Sequence, residues 1–160
     1  MKTDTAAHRG ARPKVPGRVA GIDYGDLDNH LGYVLRRAQL AAFEAFGRAS
    51  AGVGITPPRY TALVILRANP GITQTKLGNV LGTARSGAML MTDWLEERGL
   101  AERRSSRDDG RAWGLYLTDK GARLLARLRR SVIAHDASFG ARLLPRERTA
   151  LTRLLRKLAG

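Results

Sequence analysis

The chain has 160 residues, with 28 Lys and Arg against 14 Asp and Glu and a formal net charge of +14. That length suits one domain with a tail, and the charge points to a polyanionic partner, nucleic acid ahead of an anionic membrane. Cysteine is absent, which excludes disulfides, thiolate zinc sites, iron–sulfur clusters and thiol catalysis. No apolar run approaches the roughly 18 residues of a membrane span, and no secretory h-region is expected at the N-terminus. A soluble, intracellular, basic protein is the expectation.

Residues 1–22 set Lys2, Arg9, Arg12, Lys14 and Arg18 against Asp4 alone, and glycines and prolines interrupt any regular pattern. The stretch reads as a flexible basic arm, either a solvated tail or a segment laid along DNA phosphates. From Asp28, the residues Leu31, Val34, Leu35, Ala38, Ala42 and Ala45 recur at helical steps, and Gly52 and Gly54 end that helix near Ser50. Thr56-Pro57 predicts a second helix with Thr as N-cap and with Tyr60, Leu63, Val64 and Leu66 inward, stopped by Asn69-Pro70-Gly71. Thr73 opens a short third helix over Leu77, Val80 and Leu81, broken at Gly82. A fourth runs from Ala84 to Arg98, with Ala88, Met91 and Leu95 inward and Gly99 as its stop.

Leu100 to Arg104 and Ala112 to Thr118 read as strands around the turn pair Asp109-Gly110. Thr118 then caps a long helix carrying Leu124, Leu125, Leu128, Val132 and Ile133. Pro145 starts the last helix, with Leu151, Leu154, Leu155 and Leu158 at i, i+3, i+4 and i+7. The fold class expected is mainly α with a small β-hairpin wing. A helix-turn-helix and wing occupy about 55–118 of a 23–160 domain, flanked by helices at about 28–50 and 119–158.

Two features carry chemistry. A bihelical unit joined by a tight turn at Gly82-Thr83 lays its second helix in the major groove, where all four base pairs differ. The exposed start of that helix supplies the candidate readers Thr83, Ala84, Arg85, Ser86, Gly87, Met89 and Leu90. Arg85 is foremost, because a guanidinium forks onto guanine O6 and N7. Thr73, Gln74, Thr75 and Lys76 begin the preceding helix, where free amides and partial positive charge favour a phosphate. The second feature is the hairpin, where Arg103, Arg104, Arg107 and Arg111 flank the turn. Arginine on a thin ribbon can enter a narrow minor groove, and Asp109 is expected to hold Arg111 by a bidentate pair.

Helix pairs and arginine-rich turns each occur in proteins that never meet DNA. Together, at this charge, they point to a sequence-specific regulator; the alternative is a non-specific architectural protein that coats DNA without sequence choice. An enzyme is not expected. No Gly-rich phosphate loop appears, Glu96 and Glu97 fall on different helix faces, and Asp108 and Asp109 sit on a turn, so no catalytic dyad forms. His8, His30 and His135 show no paired spacing, so neither a metal site nor a cofactor is expected.

The stretch Leu81 to Leu100, together with Asp109-x-Arg111 and the following Leu115-Tyr116-Leu117-Thr118-Asp119-Lys120-Gly121, resembles the MarR family of bacterial winged helix-turn-helix transcription regulators. The resemblance spans about residues 28 to 158. It implies a cytoplasmic, nucleoid-associated homodimer on a palindromic operator, usually a repressor released by a small ligand. Two departures stand out: Gly87 where the family often has Thr or Ser, and Leu90 where it often has Arg or Lys. Dimerisation would bury Leu143, Leu144, Leu151, Leu154, Leu155 and Leu158. The resemblance places a ligand between the dimer helices and the reading unit, where His30, Tyr33, Arg37, Tyr60 and Trp94 are candidate lining residues. Cations and aromatics together would suit an aromatic acid or its acyl-CoA thioester; each also has a plainer role in packing or as surface charge.

Overall fold

The computed structural model describes residues 19–105 and 113–160. The chain forms two compact units that divide between Glu44 and Ala45. In the first, a 3-10 turn at Gly25–Asn29 leads into α1 (Leu31–Ala49), which runs across the division. Tyr24 and Tyr33 bring their rings within 6.4 Å here. Residues 1–18 of the expected basic arm lie outside the described residues.

The second unit holds α2 (Pro57–Ala68), β1 (Ile72–Thr73), α3 (Gln74–Leu81), α4 (Arg85–Glu97), β2 (Ala101–Ser105), β3 (Trp113–Leu117), α5 (Asp119–Phe139) and α6 (Pro145–Ala159). A further 3-10 turn, Gly140–Arg142, joins the last two helices. The strands form an antiparallel sheet in the order β1-β3-β2, with Ile72 opposite Leu115 and Ala101 opposite Leu117. β1 is absent from the sequence reading because two residues carry no alternation that could be counted.

Leu63, Leu66, Leu77, Leu95, Leu115, Leu125 and Leu128 meet in one buried cluster, contributed by α2, α3, α4, β3 and α5. Ser50 ends α1 as a buried staple, donating its hydroxyl to the carbonyls of Phe46 and Ile55, both at 3.0 Å. Thr118 caps α5 as expected, accepting from the Gly121 amide at 3.1 Å. Thr56 occupies the N-cap position of α2, but its side chain makes no cap bond.

Several inward assignments are corrected. Val64, Val80 and Ile133 are exposed. Val64 lies beside Leu63, the buried centre of its face, and adjacent helical positions are about 100° apart; Val80 and Ile133 border Leu81 and Val132, which are themselves only half-buried. Leu31 and Val34 of α1 are exposed in the single chain, as are Leu143, Leu144 and all four leucines of α6. Periodicity marks an apolar face; it does not say whether this chain or a second one covers it.

Candidate nucleic-acid interface

Helices α3 and α4 cross at Gly78 and Ala88. A β-carbon built on Gly78 would stand 2.9 Å from that of Ala88, so only glycine allows this approach without adjustment. Gly82 makes the turn in the left-handed conformation, at φ 61°, which costs a glycine nothing. The Gly82 and Thr83 amides donate back to the carbonyls of Asn79 and Gly78, both at 3.1 Å. Thr92, fully buried on α4, returns its hydroxyl to the Ala88 carbonyl at 2.9 Å.

This crossing gathers many of the expected DNA contacts in one place. Gln74, Thr75, Thr83 and Arg85 line a seam of about 180 Å³ between the starts of α3 and α4. Thr83, Ala84, Arg85 and Ser86 are exposed there, as is Lys76. Met89 and Leu90 extend the exposed surface one turn along α4, at 48% and 67% exposure. Thr73 is half-buried, and its hydroxyl accepts the Lys76 amide at 3.3 Å as the cap of α3. Ala84 stands at the N-cap of α4 and supplies no side-chain acceptor.

Gly87 has a local reason. A β-carbon there would fall 2.1 Å from Thr83 Oγ1. The Thr83 side chain therefore takes the space that a larger residue at 87 would fill, and the two positions are coupled.

The wing divides into two parts. Arg103 does not join a groove-reading cluster, which corrects its placement among the hairpin-tip arginines. It sits in mid-strand opposite Leu115, and its side chain is 29% exposed. Its amide donates to Glu96 Oε1 at 2.9 Å, its guanidinium to the other oxygen of the same carboxylate, to Asp93 Oδ1 at 2.8 Å and to Gln74 Oε1 at 3.1 Å. The strand is thus tied to α4 and to the start of α3. Sequence reasoning missed this clamp because its members are 7 to 29 residues apart. Arg104 points outward, paired with Glu102 and resting 4.9 Å above the Tyr116 ring. Arg107, Asp109 and Arg111 lie outside the described residues.

The candidate ligand residues fall in different units. In the first, His30 Nε2 approaches Asp26 at 3.3 Å, and Arg37 donates to the Tyr33 hydroxyl at 3.3 Å, a bond that raises the Arg37 pKa. In the second, Tyr60 packs on Phe46 with centroids 5.7 Å apart. Trp94 lies between two cations, with Arg59 at 3.7 Å and Arg98 at 4.0 Å from its ring centroid. Burial lowers the Arg59 pKa, and the positive charge of Arg98 lowers it further. Among the described residues no helix is long and apolar enough to cross a membrane.

Comparison with known proteins agrees with this architecture. Residues 55–113 match the model of the MarR family. A Thauera aromatica protein described as the regulator of its hcr operon is 37% identical over 141 residues, covering 88% of this chain and 85% of its own. The repressor CouR bound to a 23-mer DNA duplex superposes with a TM-score of 0.81 at 40% identity, covering 87% of this chain and 99% of that one. CouR bound to p-coumaroyl-CoA gives 0.80 at 40% identity, over 86% and 97%. The PcaV regulator of Streptomyces coelicolor with its natural ligand gives 0.76 at 31%, over 86% and 97%.

Proposed function

Since the chain belongs to the MarR family, we propose that it acts as a homodimeric repressor that holds a near-palindromic operator and leaves it when a small aromatic effector binds. Family membership makes the chain a DNA-binding transcriptional regulator and not an enzyme. The observation that carries the operator reading is the seam between α3 and α4. There Arg85 is exposed and, among the described residues, has no hydrogen-bond or ion-pair partner.

In this reading Arg85 forks onto guanine, and Ser86 and Thr83 bond bases or phosphates. The uncapped first amides of α4, with the Thr75 amide at the start of α3, face DNA phosphates. Met89 and Leu90 offer apolar surface to thymine methyl groups, a contact that suits the leucine standing where a cation is common in the family. Arg104, Arg107, Asp109 and Arg111 form the wing contact, with Asp109 orienting Arg111 for the minor groove. The exposed leucines of α6 are the surface a second copy covers, and two reading helices then stand about 34 Å apart, one turn of duplex. The protein works in the cytoplasm, on the nucleoid while bound.

The relatives support the effector class. CouR is solved with p-coumaroyl-CoA, an aromatic acyl thioester. Arg37 bonded to Tyr33 sets a cation beside an aromatic ring, the pairing an aromatic acid or its thioester would use. The effector shifts the dimer only by its differential affinity for the DNA-competent and incompetent forms. The test is competition between operator and random duplex, with Arg85→Ala alongside and p-coumaroyl-CoA added. A repressor prefers its operator by roughly a thousandfold, loses much of that preference with Arg85, and is released by the thioester. Equal affinity for both duplexes would favour the architectural reading instead.

A further inference from the structure

The far end of the reading helix carries a second cationic surface. A cleft of about 590 Å³ lies between the loop before α2, the end of α4 and the first three turns of α5. That volume falls in the range of small-molecule sites. Arg98, Lys120, Arg123 and Arg127 line it, with Trp94 as one wall, and no acidic residue is among the lining. Val53, Ile55 and Leu124 supply apolar surface.

The spacing explains the convergence. Positions 120, 123 and 127 are i, i+3 and i+7 on α5, so they share one face. Among the described residues neither Arg123 nor Arg127 has an ion-pair or hydrogen-bond partner. Lys120 Nζ donates to the Arg98 carbonyl at 2.7 Å, which draws α5 against the end of α4. Arg98 meets Glu97 at 3.6 Å, and Arg59 adds a further cation over the Trp94 ring. Like charges at i, i+4 are mutually unfavourable, so Arg123 and Arg127 gain from a bound anion. Both faces of Trp94 are covered by guanidinium groups, so the ring offers no stacking platform.

We propose that this cleft binds a diphosphate ester of a small organic molecule, with the diphosphate on Arg98, Lys120, Arg123 and Arg127 and the organic part against Val53, Ile55 and Leu124. DNA is not the occupant. α4 has 13 residues, so its reading end is about 20 Å from Arg98. The inference goes beyond the operator reading and needs neither the operator nor an aromatic effector to be correct.

ADP is the probe, and Trp94 fluorescence is the readout in a Trp113→Phe background at physiological salt. ADP should produce a saturable change, and adenosine at the same concentration should produce none. Arg123→Gln with Arg127→Gln should weaken ADP binding by roughly tenfold or more while leaving the circular dichroism and the affinity for operator DNA unchanged. Absence of saturable ADP binding would overturn the proposal. So would equal ADP affinity in the double variant, since the anion would then sit elsewhere. Loss of affinity for operator and random duplex alike in a folded double variant would also overturn it, by showing the cleft to be a DNA surface.

Discussion

Arg103 and Glu96 lock the wing to the reading helix twice over: the Arg103 amide donates to one carboxylate oxygen at 2.9 Å, and its guanidinium bonds the other. Asp93 lies on the same guanidinium. Removing Arg103 leaves two carboxylates one helical turn apart without their shared cation. We expect Arg103→Ala to cost about 1–3 kcal/mol, more than an exposed pair and less than a fully buried one. Arg103→Lys should recover only part of it, because an ammonium cannot reach three acceptors in a plane. Urea unfolding measures both. A loss below about 0.5 kcal/mol would mean that the clamp does not hold the wing.

Gly121 and Gly78 should respond differently to alanine, although both are helical. A β-carbon on Gly121 would lie 2.1 Å from the Leu100 carbonyl oxygen, a backbone atom. At Gly78 the neighbour is the Ala88 side chain at 2.9 Å. Alanine gains about 1 kcal/mol of helix propensity at either site, against an overpacking cost of about 1–3 kcal/mol. Gly78→Ala should therefore destabilise by up to about 2 kcal/mol, because the Ala88 β-carbon moves only with its helix, and Gly121→Ala should destabilise by more than that. Thermal or urea midpoints decide it, and the reverse order would contradict the close approach of α5 to Leu100.

Leu90→Lys restores a cation where the surface is apolar. It should tighten binding to random duplex, steepen the salt dependence by about 0.9 in log–log slope, and narrow the preference for operator by removing the thymine contact. Leu90→Ala should leave that slope alone and weaken discrimination at a thymine. A Leu90→Lys variant with unchanged salt slope would place Leu90 away from the phosphates.

Leu154→Glu tests the dimer surface. Leu154 is exposed in the single chain, as is Leu158 one turn on, at 59%. A charge there should shift light scattering toward a monomer and weaken operator binding, since each half-site would then be held alone. A variant that stays dimeric would move the interface off α6.

The helix order, the turn at Gly82-Thr83 and the cap at Thr73 were legible because each rests on local chemistry: apolar spacing, a left-handed glycine, a hydroxyl three residues before an amide. The exposure of Thr83, Ala84, Arg85, Ser86, Met89 and Leu90 was legible for the same reason, as positions at the start of one helix. What was not legible depends on distant partners. Arg103 looked like one more wing arginine until the fold brought Gln74, Asp93 and Glu96 to it. Gly87 stood out as a departure from the family, and the Thr83 hydroxyl that occupies the place of its β-carbon could not be read from the sequence. Trp94 carried no sign in the sequence that Arg59 and Arg98 would cover both its faces.

In the proposed function a dimer reads a near-palindrome with the start of α4. Footprinting the purified protein, and its Arg85→Ala variant, on the DNA upstream of its own gene tests this most directly. Two protected half-sites centred one helical turn apart are expected, with the variant losing the pattern while keeping weak, uniform coverage. Uniform protection by the unsubstituted protein, or an unchanged footprint without Arg85, would contradict it.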